Sequence, residues 1–469
     1  MMKVLQKVKW DKSKRQMHFV RRIGKFRGLV LGLPILTMAQ NPIVPNKGLN
    51  DPHVHIFNDT AYVYASHDKS IENKRFIMED WWVWSSPDLV NWTYRNTLTP
   101  EETYIGKPFE GCWATDVAHR NGRYYWYFSE KNQQTGVMVG NTPVGPWSDP
   151  LGKPLLGEEL TPTDEYDMAI FEEDDDYYII FGVWEYYIAK LNDDMISLAE
   201  EPKKIEINNP RGPYNQDGTN TERPTDDKPF LHKYKDKYYL SWGCFYAMSD
   251  TLYGPYTYKD HIIKKESFAS GYDSPTWPNG FLQGRHGSFF EWHNQWYYAY
   301  CDISQTGNRY FRDTFISYLH YRENGEMAPI RVDGIGVGNY LPDNPIQAED
   351  YFRAEGFEKR ELDSNRFSVV TKASKSYLNF PNIKNAGKYK YLTLQAKVAS
   401  ESTYTIEIRS EKLDGKLILS QTIALKPSND GFTSVTIPLN RLKEKENLYL
   451  LFSKKAGTAL EIDTLEFHN

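Results

Sequence analysis

The chain has 469 residues, more than a single core usually serves, so two domains are the natural expectation. Aromatics make up 15% of it, with 34 Tyr and 13 Trp, and no apolar run approaches the roughly 20 residues of a membrane-spanning helix. A formal net charge of −6 and the lack of any nucleic-acid motif set polyphosphate partners aside and leave a neutral or weakly charged ligand.

Residues 1–39 stand apart, with ten Lys or Arg, one Asp, and the apolar run GLVLGLPILTMA, in which Thr37 and Ala39 have small-residue spacing before Gln40. This reads as a secretory signal with a long basic lead, which predicts a secreted or periplasmic protein. Met17 is an alternative start, and a basic amphipathic helix is the competing reading. Without this segment the net charge moves to about −15. Cys112, Cys244 and Cys301 are far apart, neither a disulfide framework nor a zinc spacing, and are expected to be buried free thiols.

Next comes NDPHVHIFND, Asn50 to Asp59. As a strand it places Asp51, His53 and His55 on one face, because successive side chains alternate. Four later stretches share its shape: DVAHRNGRYYWYFS from Asp116, DMAIFEEDDDYYIIFG from Asp167, DKPFLHKYKDKYYLSWG from Asp227 and HGSFFEWHNQWYYAYCD from His286. Each is an apolar strand, a polar turn and a Tyr-rich strand, the pattern of a hairpin. SSPDLVNW, VGPW and YGPY follow three of them as outer turns. Units of about four strands repeated radially predict a five-bladed β-propeller over residues 40–340. In a propeller the first strand of each blade lines the axis, so Asp51, Asp116, Asp167, Asp227 and His286 should converge on one mouth. Like charges brought together need to share protons, bind a cation or do chemistry.

These five stretches in order, together with WSSPDLVNW, resemble glycoside hydrolase family 43, five-bladed propellers that invert configuration at the cleaved sugar. The resemblance implies that Asp51 is the general base and that Asp167 raises the pKa of the acid and orients it. It makes His286 an axial histidine holding a cation or water, Trp113 an aromatic wall, and Arg312 a pocket arginine. No cofactor is implied for the chemistry. The family's acid is a Glu where this chain has Asp227, so either Asp227 or Glu222, in GTNTERPTDDKP, is expected to donate the proton. Inversion needs an ionised and a protonated carboxyl about 6.5–9.5 Å apart.

Other residues have plainer readings. His53 and His55 are expected to line the channel or fill the core, and Asp116 to bond backbone in its own blade. Trp82 and Trp84 share a strand face suited to packing, and the run Glu172–Asp176 suits a solvated hairpin turn. Arg285 either pairs with the axial carboxylates or binds a substrate hydroxyl.

Beyond GVGNYLPDNP the composition shifts, with no Trp after Trp296. The runs YLTLQAKV, YTIEIRS, LILSQTIAL, SVTIPL and LYLLF predict a β-sandwich over residues 346–469. Its ends, IQAEDYF and LEIDTLEFHN, resemble carbohydrate-binding module family 6, which implies a structural calcium at Glu349 and Asp463. Tyr377, Tyr389, Tyr391 and Tyr404 are candidates to stack on sugars, and a purely structural buttress is the alternative. The expected protein is thus a monomeric, all-β exo-glycosidase acting on arabinofuranosyl or xylosyl units of plant or algal polysaccharides. A propeller that only binds glycans, and a metal-assisted hydrolase on the same scaffold, are the alternatives. All five strand openers lie upstream of Pro345, so hydrolysis of small substrates should not need the sandwich.

Overall fold

The computed structural model describes residues 40–469, except 158, 213–224, 273–284, 364, 429–430 and 440–441. Residues 1–39 and Glu222 therefore lie outside the described residues. The described chain is almost entirely β, and among the described residues no helix is long and apolar enough to cross a membrane.

Blade I is an antiparallel sheet of β1 (Leu49–Phe57), β2 (Thr60–Asp68), β3 (Met78–Ser86) and β4 (Thr93–Leu98). Blade II holds β5 (Cys112–Arg120), β6 (Arg123–Glu130), β7 (Gln134–Gly140) and the short β8 (Trp147–Ser148). Blade III holds β9 (Ala169–Glu173), β10 (Asp176–Phe181), β11 (Tyr187–Lys190) and β12 (Lys203–Lys204). In blade IV, β13 (Ile207–Asn208) pairs in parallel with the outer strand of β14 (Pro229–Tyr234), β15 (Lys237–Trp242), β16 (Phe245–Ser249) and β17 (Tyr256–His261). Blade V has three strands, β18 (Gly287–Trp292), β19 (Gln295–Asp302) and β20 (Asp313–Leu319). The innermost strands meet in a ring, β1 on β5, β5 on β9, β9 on β14, β14 on β18 and β18 back on β1.

Local chemistry sets these hairpins. Asn58-Asp59, Asn121-Gly122, Asp174-Asp175 and His293-Asn294 are two-residue loops with both residues at positive φ, the turn whose twist matches paired strands. The acidic run at Glu172–Asp176 is therefore the β9–β10 turn. Blade V is completed by the start of the described chain: Ile43 donates to the Thr314 carbonyl at 2.9 Å, and the Asn41 side chain exchanges two 3.0 Å bonds with the Ile316 backbone. Asp313 accepts from the amides of Asn46, Lys47 and Gly48, which steers this strap into β1. Gly48 has a φ of 67° and lies where a Cβ would sit 2.3 Å from the Asp68 carbonyl, so no larger residue fits.

The C-terminal part is a two-layered sandwich. One sheet orders Phe357–Asp363, Arg366–Thr371, Leu460–His468, Tyr391–Val398 and Thr433–Pro438, with Ile346–Gln347 also on Leu460–His468. The other orders Arg353–Glu355, Lys375–Lys384, Lys445–Ala456, Ser402–Ser410 and Lys416–Leu425. Burial alternates along Ser402–Ser410, placing Tyr404, Ile406 and Ile408 in the core beside Leu378, Leu394 and Phe452. Tyr404 is thereby removed from any role on the surface, whereas Tyr391 is exposed. The sandwich docks on blade V. There the Gln295 amide donates to the carbonyls of Glu349 and Tyr351, the Tyr318 and Tyr340 hydroxyls meet at 2.9 Å, and Trp292 meets Phe352 edge-on.

Candidate active site

Three residues at or just before innermost strands adopt left-handed backbone: Asp51 at φ 47°, Asp167 at φ 55° and Lys228 at φ 60°. None is Gly, so each conformation costs about 1–2 kcal/mol, and strain of this kind gathers where side chains must be aimed. At Asp51 the β1–β2 register also shifts between Asn50 and His53. The simple alternation expected for Asp51, His53 and His55 is therefore broken. His53 and His55 both turn to Asp116, at 2.7 and 2.6 Å, while Asp51 turns to a separate cluster.

Asp51 is 5% exposed. Arg312 Nη1 donates to its two oxygens at 3.2 and 3.1 Å, Ser66 Oγ donates at 3.3 Å, and the Cys301 thiol donates at 3.2 Å while accepting the Asp51 amide at 3.0 Å. Arg312 also forks onto Asp68, with Nε and Nη2 at 2.9 and 3.0 Å. Burial works against charge on Asp51, but Arg312, followed by His286 and Lys228, holds its carboxyl well below the usual range. It stays ionised.

The other end of the site behaves oppositely. His286 bridges the two ends, with Nδ1 3.4 Å from Asp51 and Nε2 2.7 Å from Asp227 and 3.8 Å from Asp226. Burial disfavours charge on the imidazole, yet Asp227, Asp226 and Asp51 hold its pKa well above the ordinary histidine value. Burial, then the charges of Asp227 and Asp51, push Asp167 well up, and burial with Asp227 raises Asp226. Asp227 has the more open side chain of the doublet, 31% exposed against 17% for Asp226. One carboxylate held ionised, facing others that favour protons across an imidazole, is the division of labour that base and acid catalysis require.

Several expectations need correction. Asp116 does not open its strand: pairing in β5 begins at Cys112, so Asp116 lies deep in the ring. There it accepts from the amides of Val117 and, in the next blade, Ile170, and ties three blades together. Arg285 reaches neither the axial carboxylates nor a substrate, being fully buried and paired with Asp302 at 3.1 Å. Arg312 is close to Asp51 as expected, but it is 4% exposed and acts on the carboxylate rather than on an open pocket. His286 bridges the carboxylates at the two ends of the site. Trp113 is half-buried, packs edge-on to Tyr166 beside Asp167, and with Phe76 and Phe109 lines a crevice of about 640 Å³. Phe76 lies 5.0 Å under the Arg312 guanidinium, which puts this crevice next to Asp51. A larger cavity, about 1040 Å³, includes the Asn121 and Asp175 turn residues and so opens at the opposite end of the axis.

Lys228, Asp68, Asp226 and Cys301 went unrecognised in the sequence. Only Asp226 and Lys228 had a signal there, as immediate neighbours of Asp227.

For calcium in the sandwich, Glu349 Oε2 and Asp463 Oδ1 are buried and without a hydrogen-bond partner among the described residues. Burial raises both carboxyls, that of Glu349 to about 8. The second Asp463 oxygen already meets Arg366 at 3.1 Å, and no third ligating side chain joins the pair among the described residues. The fit to a cation is partial.

The sequence profile of Glycosyl hydrolases family 43 matches residues 39–327. The chain belongs to glycosyl hydrolase family 43. Among curated relatives, an arabinoxylan arabinofuranohydrolase of Paenibacillus polymyxa is 27% identical over 91% of this chain and 74% of its own. A xylosidase/arabinosidase of Bacteroides ovatus is 28% identical over 61% of this chain and 96% of its own. Among solved structures, a family 43 arabinoxylan arabinofuranohydrolase of Bacillus subtilis in complex with cellotetraose covers 92% of this chain and 98% of its own, with a TM-score of 0.53 and 21% identity, and so shares the fold of both parts. A family 43 enzyme of Xanthomonas citri complexed with xylotriose covers 63% of this chain and 94% of its own, with a TM-score of 0.50 and 25% identity. This family 43 chain is a glycoside hydrolase of the inverting type, whose chemistry needs no cofactor.

Proposed function

We propose that this enzyme is an exported, monomeric exo-glycosidase that removes terminal or side-chain α-L-arabinofuranosyl or β-D-xylosyl units from plant or algal polysaccharides. The observation that carries this reading is the placement of His286 between Asp51, which Arg312 holds ionised, and Asp227, beside which Asp167 and Asp226 are pushed toward their neutral forms. Relatives named for arabinofuranose and xylose release support the choice of sugar. The Asp51 carboxylate takes a proton from water as that water attacks the anomeric carbon from one face. The glycosidic C–O bond breaks on the other face, and the departing oxygen takes the proton of Asp227. Asp167, raised by burial and by the charges of Asp227 and Asp51, shares this end of the site with the acid. Trp113 supplies an apolar wall for a sugar ring.

Turnover of a panel of nitrophenyl glycosides and xylan-derived oligosaccharides, with the anomer of the released sugar followed by NMR, tests this reading. Release of arabinose or xylose with inverted configuration is expected. Activity confined to other sugars overturns the specificity, and binding without turnover of any of them overturns the assignment of Asp227 as acid.

A further inference from the structure

The gathering of Asp51, Asp116 and Asp167 around the axis calls for a counter-charge, and one side chain supplies it. Lys228 is 1% exposed, and its Nζ is in contact with His53 Nε2, whose Nδ1 is 2.7 Å from Asp116. Burial pushes the His53 imidazole down to about 4, so at neutral pH it is uncharged, with Nε2 against the ammonium and Nδ1 beside Asp116. The charged groups facing Lys228 are Asp51 from β1, Asp116 from β5 and Asp167 ahead of β9, with the Cys301 thiol from β19 beside them.

Retaining a lysine here is costly twice over. Its φ of 60° suits Gly, which would adopt it without penalty, and a buried ammonium gives up its hydration. A residue kept against both penalties is kept for its side chain.

We infer that Lys228 is a positioning residue for catalysis: its ammonium, seated on His53, is the built-in cation of the propeller axis. It sets a positive charge among the Asp51, Asp116 and Asp167 carboxyls and, with Arg312 and His286, keeps Asp51 ionised. Asp51 is also faced by His286 and Cys301, and Asp68 shares its arginine, so Lys228 is one of three cations that set its charge. The inference rests on the reading of Asp51 as base.

The test compares wild type, Lys228→Gly and Lys228→Met by the pH dependence of kcat/KM on an aryl glycoside that the wild type hydrolyses. Lys228→Gly relieves the left-handed backbone, so it folds even if the buried methionine of Lys228→Met does not. Loss of a nearby opposite charge moves a carboxyl by about one to three pH units, so the acidic limb should move up by that amount. Methylammonium or calcium chloride should restore part of the Lys228→Gly activity at low pH and leave the wild type unchanged. An acidic limb that stays in place, or a loss equal at every pH with no response to added cation, overturns the inference. Asp51→Asn measured alongside keeps the two questions apart. Full turnover in that variant removes Asp51 as base, whereas the role of Lys228 stands or falls on the limb and cation response of Lys228→Gly.

Discussion

One oxygen of Asp51 lies 3.1 Å from Nη1 of Arg312, and the other edge of the same guanidinium forks onto Asp68. A single buried cation from the start of the last propeller strand thus fixes carboxylates on the first two. Breaking a buried pair by removing one partner typically destabilises by about 3–5 kcal/mol. Arg312→Met should therefore lower the urea midpoint markedly, and Arg312→Lys, which cannot fork, should recover only part of it. A variant as stable as wild type would show that the two carboxylates do not depend on this residue.

Asp51→Asn should reduce turnover by roughly 10²–10⁴, the usual contribution of a positioned acid or base. Sugar binding should persist, because Trp113 and the crevice walls are untouched. Calorimetry with the released monosaccharide reads this directly, and loss of binding in parallel with turnover would make Asp51 a structural residue.

Much of this was legible in the sequence, for a physical reason. Hairpins are local, so polar turns between apolar and Tyr-rich strands announced five blades, and the sandwich strands showed their alternation. The first strand of each blade also brought Asp51, Asp227 and His286 together as expected. Strand depth was not legible: Asp116 looks like Asp51 in letters, yet pairing starts four residues earlier in β5 and sinks it into the ring. Pairs that close across a hairpin's open end were equally invisible: Arg285, read as pairing with the axial carboxylates or binding a substrate hydroxyl, meets Asp302 at the far end of its own hairpin. Lys228 went unread because nothing in a sequence marks a lysine that points inward from a left-handed residue.

Asp227 and Glu222 compete for the role of acid, and leaving groups separate them. Asp227→Ala should slow cleavage of natural linkages by roughly 10²–10⁴, but slow glycosides of acidic phenols far less, since these depart without a proton. The selective loss should be larger at Asp227 than in Glu222→Ala. The reverse ranking in kcat/KM across a phenol series would move the acid to the Glu222 segment.

His286 gives stability a slope on the alkaline side. Its folded pKa lies well above the value of 6.5 for an unperturbed imidazole, so the folded protein keeps a proton that the unfolded chain releases above that pH. The contribution is complete below about 6.5 and is lost as pH rises through the folded value. Asp51, with a depressed pKa, contributes in the opposite sense: present above the ordinary carboxylate value and lost toward acid. The stability difference between wild type and His286→Gln should therefore shrink as pH rises above neutral. A difference independent of pH in melts across that range would mean that the imidazole is not charged in the folded state.

Cutting the chain before Ile346 leaves every residue of the site in place but uncovers Trp292, the Gln295 amide and Arg331, which pairs with Asp350 at 2.7 Å. The truncated propeller should hydrolyse small glycosides and melt at a lower temperature than the full chain. Calorimetric melts together with an aryl glycoside assay check both halves. An unchanged melting temperature would show that the docked sandwich adds nothing to the propeller.

The strap that completes blade V sets the order in which the ring can be made. Leu49 accepts from Thr314, a partner 265 residues further along, and Asn41 waits still longer for Ile316. Blades II to IV can each form from contiguous chain as it emerges, but the opening segment lacks its blade V partners until nearly the whole propeller has been extruded. Ring closure is thus a late, long-range step of the kind that slows folding. For that interval the first blade is a loose end, with Leu49 and Ile43 uncovered. Synthesis that stalls before residue 313 would leave a chain whose finished blades cannot protect its beginning.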